Sequence, residues 1–461
     1  MALRITSHEN GGMTGSRRWI SAVTIALGVV VSVLGSSMIN LALPKLTQDL
    51  GVDAGTVIWV VKIYLLATVI ALLPMAALGD LIGHRRVYLG GMLLFTFASL
   101  GCALSDRSNW PFSLLLLSRA FQGLGAAAIM AVNMALLRST HPPRQLGRAI
   151  GLNGMVVAIS NAAGPSFAGL VLSWSTSSWL FAAFLIPSIT ALILGFRALP
   201  ESPQSSGRFD PLAAVLQAFA IGLFVLTLSK LSSVWAFPGF VASIFFGTLF
   251  VRREHRQGYA LLPIDLLRQP IFALSFAAAW ASFIAQMMAL VAIPFLFQAR
   301  FGMSFAAIGL AMTPWPLAMM IVAPIAGALS DRYSPATLGF GGLLMSATSL
   351  LFLSLLAPDA NEGVIAFSMA LAGAGFTAFA GPNARSLMAA APAERSGAVG
   401  GMHAVSRQGG QLIGAAIAGL WLTHTSIEQG AMFAIMMAVV FSLLAAMTSW
   451  QRQNIKCNLN S

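Results

Sequence analysis

The chain has 461 residues, 57% of them hydrophobic and only 9% charged, with a mean hydropathy of +0.82 and a formal net charge of +12. So little polar surface cannot coat a water-soluble globule, which excludes a soluble enzyme or a nucleic-acid-binding domain. The 26 Lys and Arg residues lie scattered between apolar runs, and two cysteines, Cys102 and Cys457, cannot build a disulfide scaffold or a Cys-rich metal site.

A bilayer core about 30 Å thick takes about 20 apolar residues per helix, and the chain divides on that measure into fourteen spans. After a short N-terminal tail, 1–18, six spans cover 19–44, 56–79, 87–105, 111–137, 147–173 and 177–199. A central stretch, 200–270, holds a polar linker and two further spans, 211–231 and 234–251. Six more follow at 271–297, 303–330, 336–357, 362–387, 396–422 and 429–450, and residues 451–461 form a polar tail. The first run is long and ends without a small-residue cleavage site, so it is expected to stay as a span. With the N-terminus placed in the cytoplasm, nineteen basic residues fall inside, four outside and three within spans. That asymmetry follows the positive-inside rule and predicts both termini on the cytoplasmic side.

Offset by 250 residues, the chain matches itself: Pro44 meets Pro294, Gly123 and Gly125 meet Gly373 and Gly375, and Gly164 and Gly169 meet Gly414 and Gly419. Asp80 meets Asp331 one residue off that offset. The expected fold is therefore an all-α integral membrane protein of two six-helix repeats with two inserted central helices. Parallel repeats of this kind point to a secondary transporter whose solute path runs between the halves.

Between the second and third spans, Asp80 stands at a helix end, followed by Gly83, His84, Arg85 and Arg86. This layout suits a breakable charge network at the cytoplasmic face, and Asp331-Arg332 repeats it. In the fifth span Gly151, Gly154, Gly164 and Gly169 permit close helix approach, and Pro165 bends the span.

These residues resemble the major facilitator superfamily over nearly the whole chain. The Gly79 to Arg86 segment is similar to its signature loop, with Ala76 in place of the first glycine and Leu81 in place of an arginine. Arg119, Gly123 and Gly125 in the fourth span look like its arginine motif. The glycines around Pro165 look like the motif of its antiporters, although Ala168 stands where a glycine is usual. Trp59, Tyr64 and the Ser406-Arg407-Gln408-Gly409-Gly410 run, with the span order, resemble the fourteen-span drug:proton antiporter branch. The resemblance implies a multidrug exporter of the bacterial inner membrane, driven by the proton gradient, with no cofactor or metal, exchanging a small molecule for protons and working as a monomer.

Charges within the bilayer are costly and functional by default. All three here are positive: Lys62, Arg119 and Arg407. Arg119 has Gln122 on its face, and Arg407 is flanked by His403 and Gln411 at one-turn spacing. None of the fourteen carboxylates lies well inside a span. In the family's exporters of cationic antiseptics acidic residues are typical of the first two helices, where this chain has Gly35 and Lys62. The predicted substrate is thus an anionic or neutral amphiphile, held by Arg119, Arg407 and Lys62, with Trp59, Tyr64, Asn40, Trp315, Gln286 and Met287 lining the path. Asp80 and His403 are the candidate proton carriers. Neutralising Arg119 is expected to abolish transport without preventing folding. The alternatives are an importer or exchanger of a small organic anion, and a transport-dead membrane sensor. A membrane enzyme would need a convergent catalytic or metal set, and the six histidines are dispersed.

Overall fold

The computed structural model describes residues 15–105, 111–201, 209–229, 234–256, 264–390 and 396–460. Of Gly151 and Asp331 only the helical backbone is described. In chain order the helices are α1 (Gly15–Leu50), α2 (Ala54–Val57), α3 (Trp59–Ile82), α4 (His84–Leu104), α5 (Phe112–Thr140), α6 (Pro143–Trp174), α7 (Ser178–Ala182) and α8 (Leu185–Ala198). Then come α9 (Pro211–Leu228), α10 (Ala236–Arg256), α11 (Pro270–Phe301), α12 (Phe305–Met312), α13 (Pro314–Arg332), α14 (Pro335–Leu355), α15 (Glu362–Ala389), α16 (Ser396–His424) and α17 (Ile427–Asn460). A short 3₁₀ turn, Ile264–Arg268, precedes α11, and the described residues contain no strand.

Twelve helical stretches among the described residues are long and apolar enough to cross a membrane, against the fourteen expected. The difference lies in α10 and α16, which have membrane length, 21 and 29 residues, but are more polar. Arg252 and Arg253 end the apolar run of α10, and α16 carries His403, Arg407, Gln408 and Gln411.

Local chemistry sets the breaks. Asp53 caps α2 by accepting from the Thr56 N–H, and Pro314 opens α13 at its first position. Gly83, at φ 100°, turns the chain between α3 and α4 in a conformation that side chains with a Cβ rarely adopt.

The 250-residue repeat is visible in the packing. A carbon added at Gly123 would collide with the Tyr64 carbonyl, and one at Gly373 with the Trp315 carbonyl. Gly125 packs on the Gly91 carbonyl in the first half as Gly375 does on the Gly342 carbonyl in the second. A carbon at Gly164 would lie 2.9 Å from the Ser37 Cβ, and one at Gly414 would lie 3.0 Å from the Met287 Cβ. Tyr64 and Trp315, and Ser37 and Met287, are therefore equivalent positions. Gly375→Ala is expected to lower stability by about 2 kcal/mol, because the backbone of α14 must shift. Gly90→Ala, with nothing within 4 Å of the new carbon, is the control. Equal thermal unfolding midpoints for the two variants in detergent would refute this packing.

The inserted pair is held together by Arg253, which binds Asp210 through two nitrogens at 2.6 and 3.1 Å, and by Phe219 stacked on Phe246. It docks on α3, where Gln217 donates to the Val69 carbonyl.

The two halves meet near the face opposite the one that carries Arg17, Arg85, Arg138 and Arg197, here called the far and basic faces. There α6 crosses α12, with Gly169 on Gly309, and α16 crosses the α2–α3 break, with Gly419 on Ile58. Ser166 and Thr313 share a hydrogen bond of 2.7 Å across the first crossing. Towards the basic face the side chains of Met155 and Ile159 on α6, and of Ile321 and Ile325 on α13, are exposed.

Candidate functional site

A narrow cleft, closed down to about 10 Å³ or the room of one water, lies between the halves at mid-depth. Ser32, Val33 and Ser36 of α1, Tyr64 and Thr68 of α3, and Ala126 and Met130 of α5 form one wall, and Arg407 and Gln408 of α16 form the other. Tyr64 donates its hydroxyl to the Ser32 carbonyl at 2.7 Å, which fixes the ring on the cleft wall. Arg407 has no hydrogen-bond or ion-pair partner among the described residues, and Gln408 Oε1 is buried without a donor. A guanidinium has five N–H donors and no acceptor. An unpaired one beside an unpaired amide oxygen, in a cleft lined by both halves, is equipped to take an anionic or hydrogen-bonding group.

One turn from Arg407, His403 lies 5.9 Å from the Phe283 ring, and its Nδ1 is buried without a partner. Phe376 packs edge-on against Phe283 at 5.7 Å, so the polar groups of α16 are bordered by aromatic surface. Gln411 makes no hydrogen bond among the described residues.

Arg119 sits elsewhere. Fully buried, it donates Nε to the Val60 carbonyl at 2.9 Å and Nη1 to the Gly35 carbonyl at 3.1 Å and to Gln122. Its guanidinium lies 4.3 Å from the Tyr64 ring, and its Nη2 has no acceptor. Gln122 passes the chain on to Ser99 at 2.8 Å. In this conformation Arg119 is a tie between α1, α3 and α5 that backs the cleft rather than lining it.

Lys62 and Trp59 form a third group at the far-face crossing. The Lys62 ammonium lies 4.0 Å from the Trp59 ring centroid and donates to Ser229 Oγ at 3.2 Å. Asn40 bridges the halves through Nδ2, 3.9 Å from Met287 Sδ, and leaves its Oδ1 unpaired. Gln286 is buried, and Trp315 is buried with its Nε1 unpaired. The structure thus joins Tyr64 to Arg407, and Arg119 to Gln122, but keeps Lys62 apart from both.

On the basic face Asp80 is paired with His84 at 3.0 Å, and Arg85 donates to the Phe196 carbonyl at 2.6 Å and lies 3.7 Å from Glu201. Arg86 and Arg332 are exposed. Asp80, His84 and Arg85 thus pair within their own half, and these contacts do not bridge the halves. Gly154 has open space around it, whereas Gly164, Pro165 and Gly169 do make close inter-helix approaches.

Sequence reading missed Ser32, Ser36, Thr68, Met130 and Ser229. Ser32 and Ser36 carried a signal, since polar residues one turn apart in an apolar span mark a face that avoids lipid.

The profile of the Major Facilitator Superfamily matches residues 25–266 and 272–454. The chain is 40% identical, over 96% of its length and 97% of the relative's, to the uncharacterized transporter YebQ of Escherichia coli K12. It is 29% identical to the riboflavin transporter RibZ of Clostridioides difficile, over 85% of each chain. It is also 29% identical to the tetracenomycin C resistance and export protein of Streptomyces glaucescens, over 89% of this chain and 76% of that one. Among solved structures a D-xylose–proton symporter superimposes with a TM-score of 0.67 over 94% of this chain and 96% of that one, at 14% identity. With two packing-equivalent halves, a cleft between them and a family profile that spans nearly its full length, the chain belongs to the Major Facilitator Superfamily of secondary transporters.

Proposed function

We propose that this protein exports amphiphilic anions or neutral amphiphiles across the bacterial inner membrane, and that Arg407 holds the anionic group in the central cleft. The observation that carries this reading is the guanidinium of Arg407, unpaired in a cleft shared by both halves, in a chain with no carboxylate well inside a span to neutralise a cation. A buried cationic drug would remain uncompensated there. Relatives named for tetracenomycin C export and multidrug resistance support the outward direction; import or exchange of a small organic anion, which the unpaired cation favours, is the second reading.

In this reading α10 and α16 also cross the membrane, for fourteen crossings in all, the basic face is cytoplasmic and the monomer is the working unit. The halves, joined at the far face and parted towards the basic face, then form an inward-facing state. Asp80, with Gly83, Arg85, Arg86, Asp331 and Arg332, would gate the opposite state, and protonation of Asp80 or His403 would couple transport to the gradient.

Proteoliposomes with an imposed proton gradient test the reading, with anilinonaphthalene sulfonate as the amphiphilic anion and tetraphenylphosphonium as the lipophilic cation. Gradient-dependent movement of the anion and not of the cation is expected. Movement of the cation alone would overturn the substrate assignment.

A further inference from the structure

The two far-face crossings are equivalent under the repeat, and their differences are informative. Gly169 on Gly309 corresponds to Gly419 on Ile58, and at the same offsets Thr313 corresponds to Lys62 and Ser166 to Ala416. At one crossing Thr313 and Ser166 close the seam with a neutral hydrogen bond between the halves. At the other the second half offers Ala416, which has no side-chain acceptor, and the first half offers an ammonium. The fold thus shows that a Thr–Ser pair suffices to seal such a seam, so a cation there is not required by packing.

Lys62 is 2% exposed, and no carboxylate lies within ion-pair distance of it among the described residues. Its partner comes from the inserted pair: Ser229 caps the C-terminal end of α9, where carbonyl oxygens give the helix a partial negative charge. The cover over the ammonium comes from the second half, since a side-chain carbon at Gly419 would sit 3.5 Å from Lys62 Nζ. Parting α16 from α3 would remove that cover and leave α9 in place on α3.

We propose that Lys62 is a second, gated anion-binding residue: α9 holds its ammonium while the far seam is closed, and opening of the seam presents it to the anionic group that leaves Arg407. Twelve residues separate Arg407 from Gly419 on α16, about 18 Å of helix at 1.5 Å per residue, so the two cations mark a central and an exit station on one path. The proposal deepens the transport reading above and rests on it. It also gives the inserted helices a task, which is to keep the exit cation away from the path until release.

The test uses the full-length protein in proteoliposomes with anilinonaphthalene sulfonate. Lys62→Gln is expected to slow anion transport about tenfold, the equivalent of one charge-assisted hydrogen bond. Lys62→Arg should restore most of it, and binding of the fluorescent anion to the resting protein in detergent should be unchanged by either variant. Trinitrobenzenesulfonate added on the far side should modify Lys62 during turnover, and excess anilinonaphthalene sulfonate, but not tetraphenylphosphonium, should protect it. Wild-type transport by Lys62→Gln, equal impairment of Lys62→Arg, or absence of anion protection would each overturn the proposal. Failure of the parent reading shows differently, as normal anion transport by Arg407→Gln.

Discussion

Arg407→Gln is expected to reduce transport of an amphiphilic anion at least about a hundredfold while the protein remains folded. Two charge-assisted hydrogen bonds of about 1.5–3 kcal/mol each would be lost at a site with little water, which accounts for that factor. Because Arg407 has no partner among the described residues, its removal leaves no protein group unsatisfied. Relief of an unpaired, half-buried charge should raise the thermal midpoint in detergent rather than lower it. Arg407→Lys should retain part of the activity, since an ammonium supplies the charge but not the planar fork. Anion transport at the wild-type rate by Arg407→Gln would remove this residue from the site, whatever the stability result.

Arg119→Ala is expected to cut both stability and transport, with the stability loss about 3 kcal/mol from the cavity alone. Its donors tie Gly35 of α1 and Val60 of α3 to α5, and its loss would strand Gln122 Oε1 and unseat the Tyr64 ring from behind. Arg119→Lys should rescue little, because one ammonium cannot reach carbonyls on two neighbouring helices at once. From sequence alone the same substitution predicts lost transport with intact folding, as a residue on the path would give. Thermal unfolding of the purified variant decides between the two: a wild-type midpoint together with dead transport would return Arg119 to the path.

Much of the fold was legible because its signals are local. Span positions follow from runs of apolar residues, and the repeat was announced by Pro44 and Pro294 and by paired glycines that the structure places at matching helix contacts. The polarity of α16 was visible too, and it is the reason that this helix falls short of the apolarity of the others. The break at Ile58 between α2 and α3 was not foreseen, since the residues 54–82 are almost uniformly apolar and only the Asp53 cap marks a separate start.

The candidate site was legible in residue type but not in arrangement. Three cations without carboxylates could be read directly from the chain, and they argue against a cationic substrate before any coordinates are considered. Which of the three faces the path could not be read, because a buried cation is satisfied by whatever the neighbouring helices turn towards it. Arg119 found backbone carbonyls of α1 and α3, Lys62 found a serine at the end of an inserted helix, and Arg407 found a narrow cleft with no partner in it. Hydropathy and internal repetition are properties of the chain itself, and they determined a membrane-embedded, two-fold repeated helical transporter. The partners of its charges depend on helix rotation and approach across hundreds of residues, and only tertiary packing decided them.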